Sequence, residues 1–139
     1  MTEVAAPVRV IEETSAYWKV VFDYPPFNIV DATMFESLQD LLSRMDASPR
    51  LRVVVFESAN PEFYLAHFDL TGKTGNITTA VGPSGLPLLM DTFVRLTKSP
   101  EVSIAEIRIV FPCAAAASVA RSYSSSSIVN VDMQAPSAL

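Results

Sequence analysis

Apolar and polar residues change period several times along this chain, and each change marks an element. Val8 to Ile11 and Tyr17 to Phe22 are β-branched or aromatic runs separated by Glu12-Glu13-Thr14-Ser15, a pattern that predicts a hairpin. Pro25-Pro26 stops the second run. Asp31 then stands where a helix cap belongs, because Met34, Phe35, Leu38, Leu41, Leu42 and Met45 recur at helical spacing behind it; Pro49 ends that helix. Leu51 to Phe56 is almost continuously apolar, which predicts a strand covered on both faces, as in a parallel sheet packed between layers.

The chain's glycines, Gly72, Gly75, Gly82 and Gly85, fall in one window with Thr71, Thr74, Thr78 and Thr79, and that clustering predicts a long flexible loop. Pro87 suits the first turn of a second helix whose apolar face is Leu89, Met90, Phe93, Val94 and Leu96. Ser99-Pro100 ends it, and Val102 to Ile107 reads as a further strand. The order is strand, strand, helix, strand, loop, helix, strand. Beyond residue 108 the pattern dissolves: from Cys113 to Leu139, fourteen of twenty-seven residues are Ala or Ser and only Arg121 and Asp132 are charged; Ala114 to Ala120 could be a short helix, but Ser124 to Ser127 is low-complexity and helix-poor, and nothing after it shows sustained periodicity. The division expected is a core over 1–108 and a poorly specified tail over 109–139.

Composition narrows the function classes. Half of the 139 residues are hydrophobic and 18% are charged, a globular rather than a disordered balance. The net charge is −5 and the ten Lys and Arg are scattered singly, which argues against a nucleic-acid or anionic-membrane surface. Cys113 is the only cysteine, so no internal disulfide can form and a reducing, cytoplasmic setting is expected. The N-terminus carries neither a basic stretch nor an apolar one, and no apolar run approaches the length of a spanning helix. A single His and a single Cys cannot supply a metal site of the usual kind.

Three segments in order then resemble the crotonase superfamily, the enoyl-CoA hydratase/isomerase group. Tyr24-Pro-Pro-Phe-Asn28 is similar to that family's P-x-N-x-[LF] turn, with Asn28 in the Asn position. Leu51 to Leu70, closing on Leu65-Ala66-His67-Phe68-Asp69-Leu70, is similar to a strand and turn that ends F-x-A-G-x-D-L. Ser99-Pro-Glu-Val-Ser-Ile-Ala-Glu-Ile107 is similar to K-P-V-I-A-A-I-x-G. The match spans roughly Val8 to Arg108.

The resemblance implies an α/β fold, the N-terminal part of the crotonase (ClpP/crotonase-type) spiral, left incomplete. It also implies lyase or isomerase chemistry on an acyl-CoA thioester, with coenzyme A entering as part of the substrate or ligand and no metal or redox cofactor. Carried over by position, the Phe68 N–H becomes the first oxyanion donor, Leu65 and Ala66 become the wall facing the CoA adenine, and Asp69 becomes the residue that steadies the turn. His67 replaces the family's usual Gly, a change expected to strain the turn if positive φ is needed there. As the only histidine it is also the candidate acid or base, against the alternative of a surface residue.

The chain departs from the family after Ile107. It reads Arg108-Ile-Val-Phe-Pro-Cys, without the Gly-rich turn that gives the second oxyanion donor, and no glycine follows Gly85 and no Glu follows Glu106. Three readings stay open: an impaired thioester enzyme, a truncated non-catalytic binding or interaction domain, and a tail produced by a shifted reading frame. Incomplete cover of Val53, Val55, Ile104 and Ile107 is expected, and with it self-association in place of the family's trimer.

Overall fold

Thr14 Oγ1 accepts the Ala16 N–H (3.2 Å), closing the turn that folds the first two apolar runs onto each other. They form β1 (Val8–Thr14) and β2 (Tyr17–Phe22), antiparallel with a register shift between Glu12 and Thr14. In this computed structural model, which describes residues 6–69, 71, 77–108 and 127–132, the chain continues as α1 (Ala32–Asp46), β3 (Val53–Ser58), α2 (Leu88–Lys98), β4 (Val102–Arg108) and β5 (Ser127–Asp132). Asp31 caps α1 by accepting the Met34 N–H on Oδ1 (2.9 Å). Its other oxygen accepts the Tyr24 O–H (2.9 Å), and this bond, with burial, holds the phenol above its ordinary pKa.

The strands lie in the order β1-β2-β3-β4-β5, with β2 to β5 parallel. Alternate residues of one face, Val8, Trp18, Val20, Phe22, Val54 and Phe56, pack against Met34, Leu41, Leu42 and Met45 of α1. On the opposite face Val53, Val55 and Ile104 are half-buried, as incomplete cover requires. Ile107 is an exception to the expectation: it shares the helix-facing side with Phe56 and Ala105 and is buried. Strand parity decides this, because Ile107 lies an even step from Ala105.

Three further expectations change. The tail expected to lack elements contributes β5, whose Ile128, Val129 and Val131 supply β propensity and whose backbone completes the edge of β4. Cys113, the Ala114–Ala120 stretch, Gly72 and Gly75 lie outside the described residues. Part of the glycine window is tightly held rather than loose: Ile77 is buried, the Gly82 N–H donates to the Leu86 carbonyl (2.8 Å) and the Leu88 N–H to the Ala80 carbonyl (2.8 Å). Finally, α2 turns polar residues inward. Asp91 and Thr92 are buried while Met90 and Phe93 of its expected apolar face are about half exposed.

The reason for that inversion is a polar network. The Asp91 carboxylate accepts the Ser84 N–H (2.8 Å) and hydroxyl on one oxygen and the Gln39 amide (3.3 Å) on the other, with Arg95 at 3.8 Å. Arg95 in turn reaches Gln39 Oε1 (2.8 Å) and Asp46 (2.6 Å) on α1. A Cβ on Gly82 would come within 2.2 Å of Asp91 Cγ, so only glycine lets the loop close on the carboxylate. Burial alone would raise the Asp91 pKa, but the bonds from Ser84 and Gln39 and the charge of Arg95 outweigh it and leave the group below the usual range. The folded-state value is thus depressed relative to the unfolded chain, so the stabilisation is complete above about pH 4 and is lost as pH falls through the folded value. Melting temperature measured from pH 6 downward is expected to fall below about pH 4, and less steeply in Asp91→Asn. Parallel profiles for the two proteins would contradict this account.

Candidate functional site

Residues 58–69 leave β3 and fold back along the 24–31 segment. Ser58 Oγ accepts the Asn60 N–H (3.0 Å) and donates to the Phe63 carbonyl (2.7 Å), while Asn60 Oδ1 accepts from the Glu62 and Phe63 N–H groups (2.8 and 3.0 Å). Local side-chain bonds of this kind define a tight turn without regular structure. Tyr64 then packs edge-on against Phe22 (5.6 Å) and donates its hydroxyl to the Phe56 carbonyl (3.1 Å).

After Tyr64 the chain extends beside residues 28–30. The Ala66 N–H donates to the Asn28 carbonyl (3.0 Å), the Val30 N–H to the His67 carbonyl (3.3 Å) and the Asp69 N–H to the Val30 carbonyl (3.0 Å). This is a parallel bridge between Val30 and Phe68. In such a bridge the flanking residues bond across, and the central residue of the extended strand aims its own N–H and C=O the other way. The Phe68 N–H therefore points away from the 24–31 segment, and no described residue accepts it.

The remaining candidate residues flank Phe68 along the chain. The Phe68 ring packs edge-on against Phe35 (6.0 Å), which is buried in α1 and contacts Phe93 of α2 (6.3 Å). Asp69 Oδ1 accepts from both the N–H (2.9 Å) and the hydroxyl (2.8 Å) of Thr71. His67 is exposed, and Asn28 is the only described non-glycine residue with positive φ, so the backbone at His67 carries no left-handed strain. Leu65 is exposed on one side and on the other lines an apolar cavity of about 220 Å³ together with Phe22, Leu38, Phe56, Tyr64 and Phe93. Among the described residues no group of three or more His, Cys, Asp or Glu could hold a metal ion, and no helix is long and apolar enough to cross a membrane. Two features escaped sequence reasoning. Asn28 was visible only as a motif position, and Asp91 looked like an ordinary polar residue on a helix whose burial depends on Gln39 and Ser84 far away in sequence.

No protein-family model and no curated protein matches the sequence. Solved structures do match in fold. A protein described as an enoyl-CoA hydratase from Streptomyces avermitilis superposes with a TM-score of 0.62 at 25% identity, over 75% of this chain and 39% of that one. The enoyl-CoA hydratase of Bacillus anthracis gives 0.59 at 18% identity over 75% and 40%, and that of Bacillus halodurans 0.56 at 16% over 73% and 42%. The chain thus spans about 40% of the length of these enzymes. The sheet of parallel strands on a hairpin, with its two helices on one face, is part of the crotonase-like α/β fold shared by the enoyl-CoA hydratases and isomerases.

Proposed function

We propose that this chain binds an acyl-CoA thioester, with the Phe68 N–H donating to the thioester carbonyl oxygen and the acyl chain entering the apolar cavity behind Leu65. The observation that carries this reading is the outward Phe68 N–H, which no described residue accepts, on the same turn as Leu65, which lines that cavity. A backbone donor held on both sides cannot turn away, so it meets developing negative charge without reorganisation. The cavity exceeds the roughly 150 Å³ that holds a benzene-sized ligand, which leaves room for a short hydrocarbon chain. Leu65 and Ala66 form the adjacent wall, Asp69 steadies the turn, and His67 stands exposed next to the donor as the candidate acid or base.

Amide-resolved NMR titration with crotonyl-CoA tests the reading. The Phe68 amide is expected to shift downfield and to shift more than any amide of β1, while free coenzyme A leaves it in place. An unmoved Phe68 amide at saturation would overturn it. His67→Ala is expected to remove whatever thioester turnover the chain retains; an unchanged rate would make His67 a surface residue.

The exposed outer face of α2 favours a second reading, in which the chain acts as an interaction domain that self-associates. Met90 and Phe93 of α2 and Val81 before it are 51%, 53% and 69% exposed, an apolar set open to solvent although the Phe93 ring also touches Phe35 of α1. Size-exclusion chromatography is expected to show earlier elution as concentration rises, reversed in Phe93→Ser. A concentration-independent monomer would exclude it.

A further inference from the structure

Asn28 is almost fully buried (1% exposed) and left-handed (φ 53°), a conformation that Asn enters more easily than most residues. Its side chain is the hub of the turn. Oδ1 accepts the Tyr24 N–H (2.8 Å), and Nδ2 lies 2.8 Å from Ser58 Oγ and 3.0 Å from the Tyr64 carbonyl, with the carbonyls of Phe63 (3.3 Å) and Phe22 (3.4 Å) farther off. An amide has two hydrogens, so the two short contacts are the bonds and the longer ones complete a ring of acceptors around it. The Asn28 carbonyl accepts the Ala66 N–H, and its N–H donates to the Tyr24 carbonyl (2.8 Å).

These bonds grip the 58–69 segment at three points: Ser58 where it leaves β3, Tyr64 in its middle, and Ala66 two residues before Phe68. The Val30 bridge, two residues beyond Asn28, holds the far side of Phe68. Among the described residues none hydrogen-bonds the Phe68 backbone, so the direction of its N–H is inherited from these neighbours.

We propose that Asn28 is a positioning residue that sets the direction of the Phe68 N–H by tying residues 58–66 to the 24–30 segment. The consequence for ligand binding rests on the reading of Phe68 as the oxyanion donor, whereas the consequence for the backbone does not. An acidic or hydrophobic residue could not replace it. A carboxylate would face the Tyr64 and Phe63 carbonyls with lone pairs in place of hydrogens, and an apolar side chain would leave those buried acceptors unsatisfied.

Asn28→Gly separates the side chain from the backbone, because glycine adopts the same φ and keeps the carbonyl that accepts from Ala66. Hydrogen exchange in the absence of ligand is expected to quicken about tenfold or more at the Ala66 and Asp69 amides, with changes under about threefold at Val20 and Val54 in β2 and β3. Asn28→Asp at neutral pH is expected to show the same local pattern. Unchanged exchange at Ala66 and Asp69, or equal acceleration throughout the sheet, would overturn the proposal. Titration of both variants with crotonyl-CoA is expected to show the Phe68 amide response reduced about tenfold in apparent affinity. A wild-type chain that ignores crotonyl-CoA while the exchange pattern holds would reject the thioester reading and leave the positioning role standing. Wild-type affinity in the variants despite loosened exchange would show that the turn's order does not govern the donor.

Discussion

The purified 139-residue chain is expected to hydrate crotonyl-CoA at less than about one-thousandth of the rate of a full-length enoyl-CoA hydratase assayed beside it. Thioester chemistry of this class needs an enolate stabilised by two converging N–H donors, and Phe68 supplies one candidate. The resemblance would place the second on a Gly-rich turn after the strand equivalent to β4, where this sequence reads Arg108-Ile-Val-Phe-Pro. Loss of one such donor costs about a hundred- to a thousand-fold, and loss of an acid or base a further hundredfold or more. The two effects multiply, so one-thousandth is a conservative ceiling. In the proposed reading binding depends on the single donor and the cavity and does not fall with them, so the NMR titration and the turnover assay should separate: ligand contact with little chemistry. Turnover within tenfold of the reference enzyme would refute the ceiling and would assign His67 work that other residues do in the family.

Phe35→Ala should produce the largest loss of stability of any single truncation near the site. Phe35 is 1% exposed in α1 and its ring meets Phe68 of the turn and Phe93 of α2, so one side chain joins three parts of the chain. Truncating a buried Phe costs about 3–5 kcal/mol through lost transfer energy and the cavity left behind. A domain has only about 5–15 kcal/mol to lose, so the melting temperature should fall by roughly 10–20 °C. Phe93→Ala, whose side chain is already 53% exposed, should cost far less. Equal losses at the two positions, read by urea unfolding, would show that the aromatic junction does not hold α2 and the turn to α1.

Most of the local architecture was legible in the sequence. The hairpin follows from two β-branched runs around a polar turn, α1 from its helical repeat behind Asp31, and β3 and β4 from apolar runs bounded by proline. Such elements depend on neighbours within a few residues, and short-range pattern records them. The motif positions of the candidate turn were also visible, down to Ala66, Phe68 and Asp69.

Contacts distant in sequence decided the rest. β5 pairs with β4 across eighteen or more residues, so its short apolar alternation had no local partner to mark it. The inward polar face of α2 makes sense only once Gln39 and Ser84 are beside Asp91, since a buried carboxylate is tolerable only with its bonds satisfied. The outward direction of the Phe68 N–H exists only because the Val30 bridge takes up the groups on either side of it. Residue type and spacing thus determined which segments could be strand, helix or turn, while long-range hydrogen bonding, invisible to any local window, decided which polar groups were used up inside the fold and which way the Phe68 N–H points.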